Sequence, residues 1–401
     1  MSRFIKRYLC CSVVASILIF MVYYRFFGRF QIDQIVVSSD EFIAVAYVVE
    51  EGDENNRRLN NEQQLLNLTN FHYKLQPSDD ACKNTDDLLA ILLVTSYVGH
   101  DEVRSAHRTA ISDSILRKLN VVRIFLLAEI PHTEHFITQE AIESEHRHFN
   151  DLVQGNFQEA YRHLPYKHVM GLRWASSHRC LHPKYIIKMD DDIVVDFYHL
   201  IEYLMSQNQR FSNYNGDFLA GYIFRHVVPI RKHQNKWYVS TDEFSGDVYP
   251  DYLSGWMYVT IPKTAKTLVS AAFEPYTSIF WIDDTWITGI LRAKKHIPID
   301  DSLNELFSAN SEFLDCCIRD IEKHKYKCPF IAGPNGGDHT LIKQYLNAVN
   351  KYCLAENSDL KENSCTERDA SMPALKDICV GGDKHLLKEN HGAAIVKPIR
   401  L

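Results

Sequence analysis

Asp190, Asp191 and Asp192 stand in a row at the end of the apolar run KYIIKM, and a second acidic pair, Asp283 and Asp284, opens the segment DDTWITGIL. Like charges crowded at the end of a buried strand raise one another's pKa unless a cation neutralises them. A divalent ion does this. Mg²⁺ and Mn²⁺ prefer carboxylate oxygens and take one or two from protein, the rest from water and phosphate. Alternation along an extended chain puts Asp190 and Asp192 on one side and Asp191 on the other, so two can serve an ion and a nucleotide while the third anchors the loop. The triplet alone is equally compatible with a solvated acidic loop or a helix start, since Asp196 can cap FYHLIEYL. An EF-hand is excluded, because Val194 and Val195 fall where a ligand and the invariant glycine are needed. Asp283 and Asp284 have their own plain reading as first-turn helix residues favoured by the dipole. Two carboxylate clusters in one domain are nevertheless what metal-assisted group transfer requires, one holding the ion and the other taking a proton from the attacking group.

The elements around these residues read as an α/β domain beginning at about residue 85. LLAILLVTSY has the continuous apolar character of a buried strand, RSAHRTAISDSILRKL is helix-like, and VVRIFLLAEI is a second buried strand. Strand, helix and strand in succession imply a parallel βαβ unit. TQEAIESEHRHF and YRHLPYKHVMGLRWASSHRC carry helical spacing, KYIIKM is another buried strand, and YPDYLSGWMYVT places aromatics and Gly255 around a further one. In open α/β sheets ligands bind outside the carboxyl ends of the strands, which is where the aspartate triplet lies.

Ahead of this domain, Tyr8 to Tyr24 form an uncharged apolar run flanked by Arg3, Lys6 and Arg7 on one side and Arg25 and Arg29 on the other. A single-pass helix needs roughly 17 to 25 such residues. The positive leader predicts a cytosolic tail at 1–7, a membrane anchor at 8–27 and a lumenal remainder. No small-x-small cleavage pattern follows the run, which argues against a removed signal peptide. Residues 28–84, with the polar stretch EEGDENNRRLNNEQQLLNLTN, read as a stem, and it contains the sequon of Asn67, a glycosylation acceptor in a secretory lumen. Eight cysteines follow the anchor, at 82, 180, 316, 317, 328, 353, 365 and 379, and an even set in such a compartment implies disulfides whose pairing spacing does not decide. No Cys or Cys/His set has zinc-finger spacing. At 401 residues, 46% hydrophobic and with net charge -7, the chain has ample core and no basic field to draw it to nucleic acid. No P-loop is present, which disfavours a metal-dependent phosphatase or nuclease.

From about Leu88 to His339 the chain resembles the glycosyltransferases of family 31, the β-1,3-galactosyltransferase and β-1,3-N-acetylglucosaminyltransferase type. Five motifs occur in order: RSAHRTA, the ESEHRHFNDLVQGNFQEAYRHLPYKHVMGLRWASSHRC stretch, KMDDD, YPDYLSGWMYV and IDDTWITGIL. The resemblance implies a GT-A fold, a Rossmann-like sheet at 85–340 that binds a UDP-sugar with Mn²⁺ (or Mg²⁺) and transfers the sugar with inversion. It implies Asp192 as metal ligand, Asp190 shared between metal and donor, and Lys188 as the residue orienting the cluster, with His339 completing the metal shell. Arg104 and Arg108 match early basic positions whose guanidinium forks suit uracil or phosphate, or else pair with acids. Asp191 is placed beside the donor. Asp284 matches the catalytic base, and Tyr252, Gly255, Trp281 and Asp283 fall at substrate positions; Trp237, Tyr252 and Trp281 suit sugar stacking or core packing. Departures at Asp283, Thr285, Ala110 and Met257 bear on donor and acceptor identity, with galactose favoured over N-acetylglucosamine. The expectation is a Golgi type II membrane enzyme acting on UDP-hexose and a glycan acceptor, with 341–401 a Cys-containing extension. The rival is an inactive lumenal carbohydrate-binding or chaperone relative, which would be expected to lose the metal aspartates or the base; both are kept.

Overall fold

The computed structural model describes residues 63–78, 88–177, 181–211, 216–354 and 364–369, together with 371 and 379. The expected anchor at 8–27, its tail, most of the stem, and Cys82 and Cys180 lie outside the described residues. Among the described residues no helix is long and apolar enough to cross a membrane.

Among the described residues nine strands are formed: β1 (Tyr73–Leu75), β2 (Ala90–Thr95), β3 (Val121–Glu129), β4 (Leu152–Gln158), β5 (Tyr185–Asp190), β6 (Ile193–Val195), β7 (Leu219–Phe224), β8 (Tyr252–Thr260) and β9 (Ala332–Pro334). Seven make one sheet in the order β1, β4, β3, β2, β5, β8, β7, and β6 pairs separately with β9. The central strands β4, β3, β2 and β5 are parallel, as the βαβ reading requires. β8 pairs antiparallel with both β5 and β7, and β1 antiparallel with β4.

The central strands are buried on both faces, and period-two alternation divides them between two cores. Ala90, Leu92 and Val94 of β2 point into one core, Ile91 and Leu93 into the other. The first core is covered by α1 (Asp101–Ala110), α2 (Asp113–Lys118) and α5 (Phe197–Phe211); the second by α4 (Leu164–Ser177) and α6 (Pro262–Ala272). The other long helices among the described residues are α3 (Gln139–Phe149), α7 (Ser311–His324) and α8 (Thr340–Tyr352). Thr138 caps α3 by accepting from the Ala141 amide, and Asp196 caps α5 by accepting from that of His199, as the sequence suggested for FYHLIEYL.

Two expected boundaries move. Leu65 and Phe71 of the supposed stem are buried in the second core, and β1 adds an edge strand to the sheet, so the compact unit begins near residue 62. A short polar segment with no alternation gives no strand signal in sequence; Asn156 fixes it by donating to the Asn70 carbonyl and accepting from the His72 amide. At the other end α8 packs into the first core through Leu341, Ile342, Tyr345 and Val349 and is an integral layer of the domain. Disulfides join Cys316 to Cys379, Cys317 to Cys328 and Cys353 to Cys365.

Candidate active site

Strand register builds the site. Thr95 at the end of β2 pairs with Asp190 at the end of β5, so the segments leaving both strands emerge side by side. The Asp191 amide donates to the Thr95 carbonyl, and the Asp191 carboxylate accepts from the Ser96 hydroxyl at 2.7 Å and lies 2.9 Å from Nδ1 of His100. Its carbonyl also accepts from Nε2 of His107. Burial alone would push the Asp191 carboxyl up, but His100 and Ser96 outweigh it and hold it below the usual range. Asp191 is therefore the anchor of the triplet, held by the scaffold and not free for a donor.

Lys188 lies two residues before Asp190 on the same side of β5, fully buried, and donates to Asp190 Oδ1 at 2.6 Å and to the Gly255 carbonyl at 2.8 Å. Burial works against its charge, yet Asp190 and Asp283 keep its pKa raised. Asp190 is pushed up to about 7: desolvation dominates, and the charges of Asp192 and Asp283 outlast the relief from Lys188. Asp192 keeps access to solvent, but surrounding protein and then Asp191 raise its carboxyl as well. The antiparallel pairing of β6 with β9 brings Asn335 against this loop, where its amide donates to the Asp192 carbonyl. The Asn335 side-chain amide donates to Nδ1 of His339, placing that ring at the start of α8, 6.5 Å from the ring of His100.

The second acidic pair faces the first across Gly255. A side chain built at Gly255 would sit 3.5 Å from Asp190 Oδ2 and 3.6 Å from Asp284 Oδ2, so the glycine leaves the space between the two carboxylates open. Asp284 caps a π-helical segment, Thr285–Leu291, its Oδ1 accepting from the Thr285 amide and its Oδ2 from the Gly255 amide at 3.2 Å. Gly289 lets this segment press against β8, where an added Cβ would come within 2.9 Å of the Tyr252 Cβ. Desolvation first, then the Asp283 charge, push the Asp284 carboxyl up to about 6. Asp283 goes the opposite way. Its Oδ2 lies 2.8 Å from Nδ1 of the buried His168, whose Nε2 is 2.6 Å from the Tyr258 hydroxyl. Burial lowers the His168 pKa, so the ring is neutral, accepting from Tyr258 and donating to Asp283. Against its own desolvation, that bond and the Lys188 charge hold Asp283 below the usual range.

Several candidates are consumed by the scaffold. Arg104 is buried and its five N–H groups go to Glu145, to Ser96 Oγ and to the carbonyls of Tyr97 and Val98. Arg108 pairs with Asp151 and Glu145 and stacks on Phe149. Both follow the acid-pairing alternative rather than presenting donors to a ligand. Tyr252 is turned into the second core, and Oδ2 of Asp283 is taken by His168. Trp281 is buried with Arg162 stacked 4.5 Å above it. Asn67 lies on an exposed turn, its Oδ1 accepting from Tyr166. His168, His100 and Ser96 were not singled out, because each is joined to its aspartate only by the fold, across 91 to 115 residues.

Among the described residues no three His, Cys, Asp or Glu side chains converge as a preformed metal cage. The donor chemistry still suits a hard cation. Asp190 and Asp192 supply two carboxylates whose pKa values are raised by burial and by neighbouring carboxylates, a cost that a bound cation offsets, and hard ions in nucleotide sites take one or two protein carboxylates.

Residues 104–302 match the family model described as Galactosyltransferase. A zebrafish (Danio rerio) lactosylceramide 1,3-N-acetyl-β-D-glucosaminyltransferase A is 28% identical over 265 residues, 64% of this chain and 67% of that protein. Its human counterpart is 29% identical over 52% of this chain and 54% of its own length. Mouse β-1,3-galactosyltransferase 5 is 32% identical over 46% of this chain and 57% of its own. The chain thus spans between about half and two thirds of these relatives. A crystal structure of a galactosyltransferase with donor and acceptor sugar analogues aligns with 67% of the chain at 9% identity and a TM-score of 0.31.

Proposed function

For a chain that belongs to glycosyltransferase family 31, the β-1,3-galactosyltransferase and β-1,3-N-acetylglucosaminyltransferase type, we propose inverting, metal-assisted transfer of a hexose, galactose in first place, from a UDP-sugar to a glycan hydroxyl with a β-1,3 linkage. The fold would be of GT-A type. The observation that carries the reading is the facing of two raised carboxylates, Asp190 and Asp284, across the bare Gly255.

Asp190 and Asp192 would hold Mn²⁺ or Mg²⁺, with His339 within the same loop system. When bound, the ion supplies Lewis-acid stabilisation of charge on the departing diphosphate. The rest belongs to the chain. Lys188 fixes the Asp190 carboxylate by its Oδ1, leaving Oδ2 toward the cleft. Asp191, tied to Ser96 and His100, sets the loop on which Asp192 is presented. Asp284 acts as general base. Its Oδ1 is held by the Thr285 amide, and Oδ2, with the longer bond to the Gly255 amide, takes the acceptor hydroxyl proton. The acceptor oxygen bonds to the anomeric carbon as the bond from that carbon to the UDP oxygen breaks on the opposite face. A base raised to about 6 is ionised at neutral pH and a stronger proton acceptor than an ordinary aspartate.

The cellular setting we propose is a type II Golgi membrane protein with its catalytic domain lumenal, glycosylated at Asn67; the apolar run at Tyr8 to Tyr24 and the three disulfides support it. The test is a panel of UDP-sugars on galactose-, N-acetylgalactosamine- and mannose-terminated acceptors, with and without EDTA. Transfer from UDP-galactose that EDTA abolishes and Mn²⁺ restores is the expected result. Folded protein that neither transfers nor hydrolyses any donor would sink the reading.

A further inference from the structure

Residues 225–248, most of the segment between β7 and β8, match none of the motifs that marked the rest of the domain. β7 runs parallel to β5 because both are antiparallel to β8, so this segment leaves the sheet at the same edge as Asp190. It is built rather than loose. Arg231 donates to the carbonyls of Val239, Ser240, Phe244 and Gly246, and Ile230 bridges to Tyr238 and accepts from the Val239 amide. Asn235 turns the chain by accepting from the Trp237 amide.

This frame carries Lys236 and Trp237 to Tyr161, which follows the carboxyl end of β4. Trp237 Nε1 donates to the Tyr161 hydroxyl at 3.0 Å, and Lys236 Nζ lies 4.4 Å from the centre of the Tyr161 ring and 5.5 Å from that of Trp237. Tyr161 remains 45% exposed. On its other side its ring centre is 6.0 Å from that of Trp281, three residues before Asp284. The charges of Asp283, Asp284 and Asp190 all reach Tyr161. The rings therefore form a row leading outward from the catalytic base: Trp281, Tyr161, Trp237. An exposed tyrosine and a partly exposed tryptophan joined by a hydrogen bond, with an ammonium beside them, present flat apolar surface and hydrogen-bond donors together, which is how a protein holds a pyranose ring.

Resting on the transferase reading above, we propose that this row is an acceptor shelf for two consecutive sugars, the accepting one beside Tyr161 near Asp284 and the preceding one over Trp237, with Lys236 donating to its hydroxyls. The acceptor is thus at least a disaccharide, and the shelf, not the donor site, sets that preference.

The experiment compares mono- and disaccharide acceptors with the same terminal sugar, using the full chain and its Trp237→Ala and Lys236→Met variants. Wild type should show a KM about tenfold lower for the disaccharide, the order expected for one stacked ring with a charged donor beside it. Trp237→Ala should erase that difference while the donor KM stays unchanged, and Lys236→Met, an exposed change that leaves the loop frame intact, should erase part of it. Disaccharide binding is also read directly by titration calorimetry. Binding that Trp237→Ala abolishes, without transfer from any donor, would support the shelf and sink only the transferase reading. An unchanged mono- to disaccharide ratio in the variants, or disaccharide binding unaffected by them, overturns the shelf.

Discussion

The two acidic clusters, 91 positions apart between Asp192 and Asp283, solve one problem in the same way with different partners. In each, one aspartate is tied to an imidazole and held ionised: Asp191 to His100, and Asp283 to His168. In each, the untied neighbour is pushed up and faces the cleft: Asp190 and Asp192 in the first, Asp284 in the second. The difference lies in burial. His168 is enclosed and backed by the Tyr258 hydroxyl, whereas the His100 side chain keeps 41% of its surface exposed at the rim. The enclosed anchor stands beside the proposed base, where a misplacement of an ångström is costly. The exposed one stands beside carboxylates that a bound ion would reposition.

This pairing is open to attack by mutation. Asp284→Asn removes the proton acceptor, and turnover should fall by about 10² to 10⁴ fold while UDP binding, measured calorimetrically with Mn²⁺, is kept. Asp192→Asn should instead lose UDP–Mn²⁺ binding together with turnover; equal loss of binding in both variants would erase the division of labour. His168→Phe leaves the Asp283 carboxylate buried without its donor and should cost about 1–3 kcal/mol in urea unfolding, along with a lower kcat. A smaller effect should separate the pH profiles. The base must be ionised to work and its pKa is raised to about 6, so kcat should fall as pH drops through about 6 instead of near 4. Asp283→Asn removes the second cause of that shift but not the desolvation, so the acid limb should move to lower pH. His100→Asn should do least, a slight weakening of metal affinity with folding unchanged; a loss of stability matching that of His168→Phe would contradict the contrast in burial.

The strands and the two acidic clusters were legible because each is a local pattern: continuous apolar runs for β2, β3 and β5, and charges set at their ends. Asp196 was read as a cap for the same reason and is one. What sequence withheld was the partner of each charge. Arg104 has the look of a ligand-binding residue until Glu145, brought alongside by α3, takes its fork. Nothing near His168 announces an aspartate 115 positions later. β1 was missed because two half-buried residues flanking the exposed Lys74 at a sheet edge need no apolar alternation, only a neighbour with unpaired backbone groups.

The paired cysteines of α7 reach beyond the chemistry. Cys316 and Cys317 are adjacent in sequence, yet one is joined to Cys379 and the other to Cys328, while Cys353 at the end of α8 is joined to Cys365. A recombinant fragment stopped at residue 354, just after α8, would strand buried thiols at 316 and 353 and leave them free to cross-link wrongly. Production of this domain therefore calls for an oxidising host and for keeping the chain at least through residue 379, well past the last residue that touches the site.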